Sequence, residues 1–338
     1  MPINLKTILY LILIFNISLG CNYQKNDDIH STIVEGRIQN PLSNKIYFCI
    51  YTDSNSLFLG NKTAVDSSQI DDKGFYSFLI LNKTPLVFNL ESNSNILASN
   101  LFLIPGQSLQ INFNGINNIP DINTSNKESK YNNFLLQFID SFYQNKYVYH
   151  EYYISTNYMD IHQFTTYNDN RKQKQLNFFT KFFANDSLNT DFKNYAINTI
   201  NYGIAVDKLM YLWKKRMKSE NIFGDSAYFS FETSDFIENK DAFNCPAYIR
   251  FLNLYIKDTY ERMVEKGELP IDKSEKLKPS VEKFKLAIKL LNKPFRNVVL
   301  YNIIYSDMTS LEKTNQTDSL QANSLDSMVS WFNKKYSL

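Results

Sequence analysis

Residues 71–81 read DDKGFYSFLIL, and this stretch decides the fold class of the first part of the chain. Asp71–Gly74 has the composition of a tight turn, because Asp and Gly adopt the backbone conformations that turns require. From Phe75 the aromatic, β-branched and other apolar side chains are typical of a strand that leaves this turn. Similar turn signals and short alternating segments recur over residues 31–115, which predicts β-structure there.

The neighbouring segments support this prediction. In KIYFCIY (residues 45–51), Ile46 and Phe48 fall on one face of a strand, because side chains alternate with a period of two. Pro105–Gly106 suits the centre of a type II turn. Six or seven short strands with few helical signals predict a small antiparallel β-sandwich over residues 31–115.

The hydrophobic period changes in the second part of the chain. Residues 116–129 are rich in Asn, Ser and Thr and are predicted to be a linker. Beyond them, one helical face is predicted from side chains spaced at i, i+3, i+4, i+7, i+8 and i+11: Tyr131, Phe134, Leu135, Phe138, Ile139 and Phe142. Further helices are predicted over 191–218, from Pro246, and over 273–292, 295–306 and 318–336. The predicted fold class is therefore α+β, with the sandwich followed by a mostly α-helical domain over 130–338.

Composition narrows the classes of function. The chain has 338 residues, with 36 basic and 34 acidic side chains and a formal net charge of +2. This balance gives no strong field to attract nucleic acid, so we expect no nucleic-acid partner. We also expect no cofactor, because no Walker A loop, GxGxxG or GxSxG motif occurs.

The N-terminus has the pattern of an export signal. Lys6 precedes an apolar run over residues 8–15, which is too short to span a membrane but suits the h-region of a signal peptide over 1–20. Ser18–Leu19–Gly20–Cys21 follows, and this stretch resembles a bacterial lipobox, with Ser18 where Leu is common. We therefore expect lipid attachment at Cys21. An ordinary cleaved signal peptide with an incidental cysteine is the alternative.

A polar tether is predicted over residues 21–30. Its Asp27–Asp28 pair resembles the acidic export signal of surface lipoproteins of the Bacteroidota type, and a plain solvated linker is the alternative. The expected location is the cell envelope, at the outer membrane on its periplasmic or surface face. The membrane partner is reached through the N-terminal lipid.

Several short motifs together resemble the N-terminal half of thioredoxin-like lipoproteins, which are membrane-anchored thiol–disulfide oxidoreductases. The motifs are VEGRI (34–38), DKGFYSF (72–78), LIPGQSL (103–109), AYIRFL (247–252) and KPFRNVVLY (293–301). The resemblance implies a β-domain followed by a helical segment. The activity of that family resides in a C-terminal CxxC module, and no CxxC occurs in this chain. We therefore expect the scaffold without the catalyst.

Three sets of residues are candidate sites. His150 and Glu151 with Asp160 and His162 could hold a transition metal, but their spacing is not that of a helical site, and we expect no metal. Cys49 and Cys245 could form a disulfide, and buried free thiols are the simpler expectation. Six tyrosines could stack on sugars or peptides, or could simply fill an amphipathic interior: Tyr143, Tyr147, Tyr149, Tyr152, Tyr153 and Tyr158.

No catalytic residue is predicted. The sequence favours a non-catalytic, lipid-anchored envelope protein that binds a protein or a small ligand. The alternatives are an accessory half of a split thiol–disulfide oxidoreductase system, and a hydrolase or metal-binding enzyme built on His150 and His162.

Overall fold

The computed structural model describes residues 29–41, 43–51, 63–93, 95–114, 119–122, 127–144, 146–218, 220, 228–269, 278–314 and 319–336. The predicted signal peptide, Cys21 and most of the predicted tether lie outside these residues. The chain forms two compact units. The first unit contains Asp27–Thr233 and Asn239–Tyr248, and the second contains Ser234–Glu238 and the chain from Ile249 onward.

Two four-stranded sheets belong to the first unit. One sheet has the spatial order β4 (Phe75–Asn82), β1 (His30–Arg37), β7 (Leu109–Asn114) and β8 (Ile119–Ile122). The other has the order β3 (Thr63–Gln69), β2 (Lys45–Ile50), β5 (Leu86–Ser92) and β6 (Asn95–Leu103).

One ladder departs from the antiparallel arrangement that the sequence predicted. β1 and β7 pair in parallel, with Val34 opposite Leu109 and Glu35 opposite Gln110. The other ladders between the described strands are antiparallel. A parallel pair needs a long connection, and the five strands between β1 and β7 along the chain provide one.

Both sheets contribute side chains to one apolar core. Phe48 of β2 stacks on Phe88 of β5, with ring centroids 4.5 Å apart, and lies 5.7 Å from the ring of Phe78 on β4. Val34 and Ile111 of the other sheet are also fully buried in this core. The alternation read from the sequence therefore reports which side chains face the core.

The two predicted turns have the backbone that they require. Gly74 has φ of +79° and Gly106 has φ of +77°, a region that residues with a side chain rarely adopt. The Asp71 carboxylate accepts hydrogen bonds from the backbone N–H groups of Lys73 (2.9 Å) and Phe75 (2.7 Å). This carboxylate fixes the turn that leads into β4.

Helix α1 (Lys127–Ile139) covers the edge of the second sheet. The Asn132 Oδ1 accepts a hydrogen bond from the Phe102 backbone N–H at 2.6 Å, and its Nδ2 donates to the Phe102 carbonyl oxygen at 2.8 Å. Phe102 lies on β6, the last strand of that sheet. The Asn132 amide therefore supplies the pairing that a further strand would have supplied.

The rest of the first unit is helical. Behind α1 come a π-helical turn (Asp140–Gln144), α2 (Lys146–Tyr158), α3 (Ile161–Phe182) and α4 (Thr190–Met217). The ring of Phe134 on α1 lies within 5.6 Å of the rings of Phe178, Phe179, Phe182 and Phe183, which form an aromatic core. Helix α4 agrees with the helix predicted over 191–218, and its apolar side chains Phe192, Tyr195, Tyr202, Val206 and Leu209 are buried, while Trp213 is half-buried.

The second unit contains five helical segments among its described residues. They are α5 (Ser234–Ile237), most of α6 (Pro246–Glu265), α7 (Lys278–Leu290), α8 (Phe295–Thr314) and α9 (Ser319–Tyr336). The Glu238 carboxylate accepts hydrogen bonds from Asn292, from the backbone N–H at 2.7 Å and from Nδ2 at 2.9 Å. Helix α6 begins at Pro246, as predicted, and its side chains Ile249, Leu252 and Ile256 are buried.

The structure confirms a mixed α+β fold class. It differs from the predicted linker over 116–129, because Ile119–Ile122 pairs with β7 and α1 already begins at Lys127. The compact units also divide the chain at other places than the predicted domains, since both sheets share a unit with α1–α4.

None of the helices in the described ranges combines the length and the apolar character that crossing a bilayer demands.

Candidate functional site

The buried face of α3 is polar in its middle. Its fully or nearly fully buried side chains recur at helical spacing, and Phe164 and Phe179 lie at the two ends of this row. Between them lie Asn168, Arg171 and Gln175. Polar side chains are rarely buried unless they meet polar partners, so this part of the helix calls for an explanation.

Arg171 meets three kinds of partner. Its guanidinium forms an ion pair with the Asp207 carboxylate on α4 and donates a hydrogen bond to the Phe142 carbonyl oxygen at 3.2 Å. It also lies over the ring of Tyr143, 4.9 Å from the centroid, and 5.9 Å from that of Tyr152. We call Asn168, Arg171, Gln175 and Asp207 the polar cluster.

The amide groups of the polar cluster are incompletely paired. Neither Oδ1 nor Nδ2 of Asn168 has a hydrogen-bond partner among the described atoms, and the residue is fully buried. Nε of Arg171 has none either among the described atoms. Donors and acceptors of this kind are satisfied in proteins by ordered water or by a bound polar group.

Tyr143 connects the polar cluster with the surface. Its ring is partly exposed, while its hydroxyl lies close to Gly203 on α4. A Cβ at Gly203 would come within 2.9 Å of this hydroxyl oxygen. Burial raises the pKa of the Tyr143 hydroxyl, and the positive charge of Arg171 opposes this shift. The hydroxyl therefore stays protonated and acts as a neutral hydrogen-bonding group.

Helix α2 presents an exposed face next to this region. Tyr147 and Tyr158 are 71% and 74% exposed, and Ile154 between them is 38% exposed. These positions follow one another at i, i+7 and i+11, so they share one side of the helix. His150 and Glu151 are exposed on the same side. We call Tyr147, His150, Glu151, Ile154 and Tyr158 the α2 face.

The opposite side of α2 is held against α4. Lys214 donates a hydrogen bond to the Thr156 hydroxyl at 3.0 Å and lies 5.3 Å from the centroid of the Tyr152 ring. Ser155 and Thr156 are fully buried. The six tyrosines that the sequence singled out therefore divide. Tyr147, Tyr153 and Tyr158 are exposed, Tyr143 is partly exposed, and Tyr152 packs inward. The side chain of Tyr149 lies outside the described residues.

Of the residues of the hypothetical metal site, Asp160 caps a helix, and His150 and His162 are exposed. Asp160 is the N-cap of α3, where its carboxylate accepts a hydrogen bond from the Gln163 backbone N–H at 2.9 Å. His162 is exposed on the first turn of α3, and His150 is exposed on α2. Within the described ranges, no three His, Cys, Asp or Glu side chains are grouped so that they could hold a metal ion.

Cys49 and Cys245 are both buried, and no disulfide bond joins them. The ladder between β2 and β3 shifts register at Phe48/Cys49, and this irregularity accompanies the burial of Cys49 on the side opposite to Phe48. Cys245 Sγ lies 3.5 Å from the Thr199 hydroxyl. Burial raises the pKa of the Cys245 thiol, and thiols of this kind are poor nucleophiles.

Sequence reasoning missed the polar cluster. Asn168 and Gln175 are polar, so a pattern of apolar side chains at helical spacing does not include them. The signal that could have revealed them is their spacing of four positions from Phe164 and Phe179 respectively, on the buried side of the helix.

Two groups of polar side chains therefore lie near each other in sequence, one exposed on α2 and one buried between α3 and α4. The α2 face exposes aromatic rings, an imidazole and a carboxylate, and the ion pair of the polar cluster joins α3 to α4. Comparison of the chain with known protein families, characterised proteins and solved structures found no match.

Proposed function

We propose that the protein is a lipid-anchored lipoprotein of the cell envelope with a non-catalytic role in binding or scaffolding. The observation that carries this proposal is the stretch ISLGCNYQKNDD at residues 17–28. An apolar run ends there at a small residue and a cysteine, and the chain turns polar at once. Diacylglycerol at Cys21 and an acylated N-terminus would contribute about 0.8 kcal/mol per buried methylene.

The proposed architecture is a β-sandwich followed by a helical segment. Its support is the single apolar core that both sheets share, together with the order of strands before helices along the chain. The same order occurs in the N-terminal half of thioredoxin-like lipoproteins, to which the sequence motifs are similar. We infer that the chain is related to that half.

The α2 face is the proposed binding surface for a protein or a small ligand. Exposed tyrosines provide a large contact area at a small cost in conformational entropy, and they are common in binding surfaces. The buried contacts of Thr156 and Lys214 fix the orientation of the helix that bears them. A partner would therefore meet a preorganised surface.

The second candidate is an accessory half of a split thiol–disulfide oxidoreductase system. Cys49 and Cys245 are buried and unpaired with each other, so within the described residues no dithiol is available for exchange. In such a system the redox pair would come from another polypeptide. The remaining alternative, a hydrolase or metal enzyme on His150 and His162, draws no support from their placement on the surface.

Lipid attachment is tested by metabolic labelling. Cells that express the full chain are fed radiolabelled palmitate, and the purified protein is compared with the Cys21→Ala variant. We expect label and membrane association for the original chain, and their loss in the variant. Cys49→Ala is the matched control and should retain both. An unlabelled original chain would rule out the lipoprotein proposal.

Binding is tested by affinity capture from envelope extract. The full chain is compared with the double variant Ile154→Asp/Tyr158→Ala on the α2 face. The control is Asn170→Ala/Lys174→Ala, two exposed positions on α3. We expect a specific partner to be lost with the first pair and kept with the second. Equal recovery with both pairs would place the binding surface elsewhere.

A further inference from the structure

An apolar patch lies on the outer face of the first sheet. Leu79 and Leu81 of β4 are 62% and 67% exposed, and Ile33 of β1 is 40% exposed. Ile33 pairs directly with Leu79. Two residues along, Leu81 pairs with Ser31, and the side chains of this pair also point away from the core. Ile29, just before β1, is 61% exposed. We call Ile29, Ile33, Leu79 and Leu81 the sheet patch.

The sheet patch is confined to one end of β1. Toward the other end of β1, Glu35 lies opposite Ser77 and Arg37 lies opposite Phe75 on the same outer face. Phe75 is less exposed than Leu79 and Leu81. Single exposed apolar residues are ordinary, whereas a contiguous group marks a surface that meets an apolar partner. On the other sheet the exposed Val65 and Ile96 lie on β3 and β6, the two opposite edges, and form no such group.

The sheet patch lies at the start of β1, which is the first strand after the proposed anchor at Cys21. Eight peptide steps separate Cys21 from Ile29, and a fully extended chain of that length reaches at most about 30 Å. The start of β1 therefore lies within that distance of any membrane that holds Cys21. The opposite end of β1, at Arg37, is the more polar one.

The patch is built on a rigid part of the sheet. The Thr32 hydroxyl, which is fully buried, donates a hydrogen bond to Asn82 Oδ1 at 2.9 Å and accepts one from the Gly106 N–H at 2.9 Å. Asn82 Nδ2 also donates to the Thr84 carbonyl oxygen at 3.1 Å. These bonds tie β1, the end of β4 and the Pro105–Gly106 turn together, so the exposed side chains are presented as a fixed surface.

We propose that the sheet patch docks on the lipid surface to which Cys21 is anchored. The inference rests on the proposed function, because the anchor is what brings the patch to the bilayer. Aliphatic side chains that enter the boundary between head groups and acyl chains lie about 5–10 Å deep and add to the affinity in proportion to the area that they bury. Docking of this kind would orient the sheet with its β1–β4 outer face toward the membrane.

The experiment places an environment-sensitive fluorophore at single exposed positions of the full, lipidated chain. Leu79→Cys is labelled with a maleimide dye, because Cys49 and Cys245 are buried and a lipidated Cys21 has no free thiol. Val65→Cys is the matched control on the other sheet. Ser77→Cys, two residues from Leu79 on the same outward side of β4, tests the gradient along the strand.

Each labelled protein is reconstituted into vesicles of phosphatidylethanolamine and phosphatidylglycerol with lipids that carry a quencher near the acyl-chain boundary. We expect quenching at position 79 to exceed that at position 65 by about twofold or more, with position 77 between them, since the patch would lie about 5–10 Å deep. Circular dichroism of each variant verifies that it is folded.

The outcomes separate this inference from the proposed function. Palmitate labelling together with equal quenching at positions 79 and 65 overturns the docking alone. A blue-shifted dye at position 79 that the lipid quencher does not reach also overturns it, and assigns the patch to a second copy of the chain. Absence of palmitate from the original chain overturns both proposals.

Discussion

The guanidinium of Arg171 on α3 pairs with the carboxylate of Asp207 on α4, and the two side chains are only 9% and 15% exposed. Removing both charges from water is costly, and their attraction offsets that cost only while both are present. The π faces of Tyr143 and Tyr152 lie close to the guanidinium and favour its charge further. The pair therefore fixes how two helices meet.

Replacing one member of this ion pair is expected to lower the free energy of unfolding more than replacing both members. Arg171→Met or Asp207→Leu alone leaves a buried charge without its partner and should lower the free energy of unfolding by about 3–5 kcal/mol. The double variant R171M/D207L should lose less than either single change. Urea unfolding followed by circular dichroism measures all three.

An exposed ion pair provides the control for this cycle. Nζ of Lys285 lies 2.7 Å from Oε1 of Glu282, and the lysine side chain is 64% exposed. Lys285→Met should change the free energy of unfolding by less than about 1 kcal/mol. A double variant at Arg171 and Asp207 that loses the sum of the two single effects would contradict the argument.

Gly36→Ala is expected to disrupt the first sheet. A Cβ at Gly36 would lie 1.6 Å from the Ile111 carbonyl oxygen, and that oxygen accepts a hydrogen bond from the Tyr76 hydroxyl at 2.7 Å. The clash is with backbone, so β7 would have to move and the Tyr76 bond would weaken. We expect a loss of about 3 kcal/mol or more in the free energy of unfolding.

Gly267→Ala is the matched substitution for this measurement. Nothing lies within 4 Å of a Cβ at Gly267, whose φ is +72°. The only cost there is the left-handed backbone, about 1–2 kcal/mol. If Gly36→Ala costs no more than Gly267→Ala in urea unfolding, the close approach of Gly36 and Ile111 is not a constraint on the fold.

Asp307→Asn is expected to stabilise the second unit at neutral pH. Burial raises the pKa of the Asp307 carboxyl, while the Ser280 hydroxyl, which donates to Oδ1 at 2.8 Å, and Lys283 oppose the shift. The folded state therefore binds a proton more readily than the unfolded state, and stability falls as pH rises above the ordinary pKa of 3.8. The amide removes this loss.

Urea unfolding at several pH values tests whether the effect of Asp307→Asn comes from ionisation of the carboxyl. The urea midpoint of the variant should exceed that of the original chain at pH 7, and the difference should shrink as pH falls toward the ordinary pKa of the carboxyl. Asp326→Asn, at an exposed position of α9, should show no such difference. A constant difference across the pH series would refute the assignment to ionisation.

Counting thiols tests burial and lipidation together. In the folded protein Cys49 and Cys245 should fail to react with a thiol reagent at pH 8, because both are buried and burial raises the pKa of Cys245. In denaturant two thiols should react if Cys21 carries a lipid, and three if it does not. The Leu79→Cys variant, with its exposed side chain, should gain one thiol that reacts in the folded state.

Local periodicity predicted much of the fold because it reports burial. The alternation along β2 and the i, i+3, i+4 spacing from Tyr131 identified side chains that face the core, and the structure buries Phe48, Phe134 and Phe138 accordingly. The positive φ of Gly106 agrees with the type II turn predicted at Pro105–Gly106.

Features that depend on distant partners could not be predicted in this way. The parallel pairing of Val34 with Leu109 joins strands that are far apart in sequence, and alternation within each strand is the same for either direction. Asn168 and Gln175 are polar side chains on a buried face, and a pattern search assigns such residues to the surface. The ion pair of Arg171 exists only once α3 and α4 have met.

The double hydrogen bond between Asn132 and Phe102 bears on how this protein can be dissected. A fragment that stops at the predicted end of the β-domain would leave the Phe102 N–H and carbonyl oxygen open along the rim of β6, where a neighbouring molecule could add its own strand. Self-association of such a truncated piece would then reflect the cut and not the intact protein. Any excised version, or any graft of these sheets onto another polypeptide, needs to carry the helix with it.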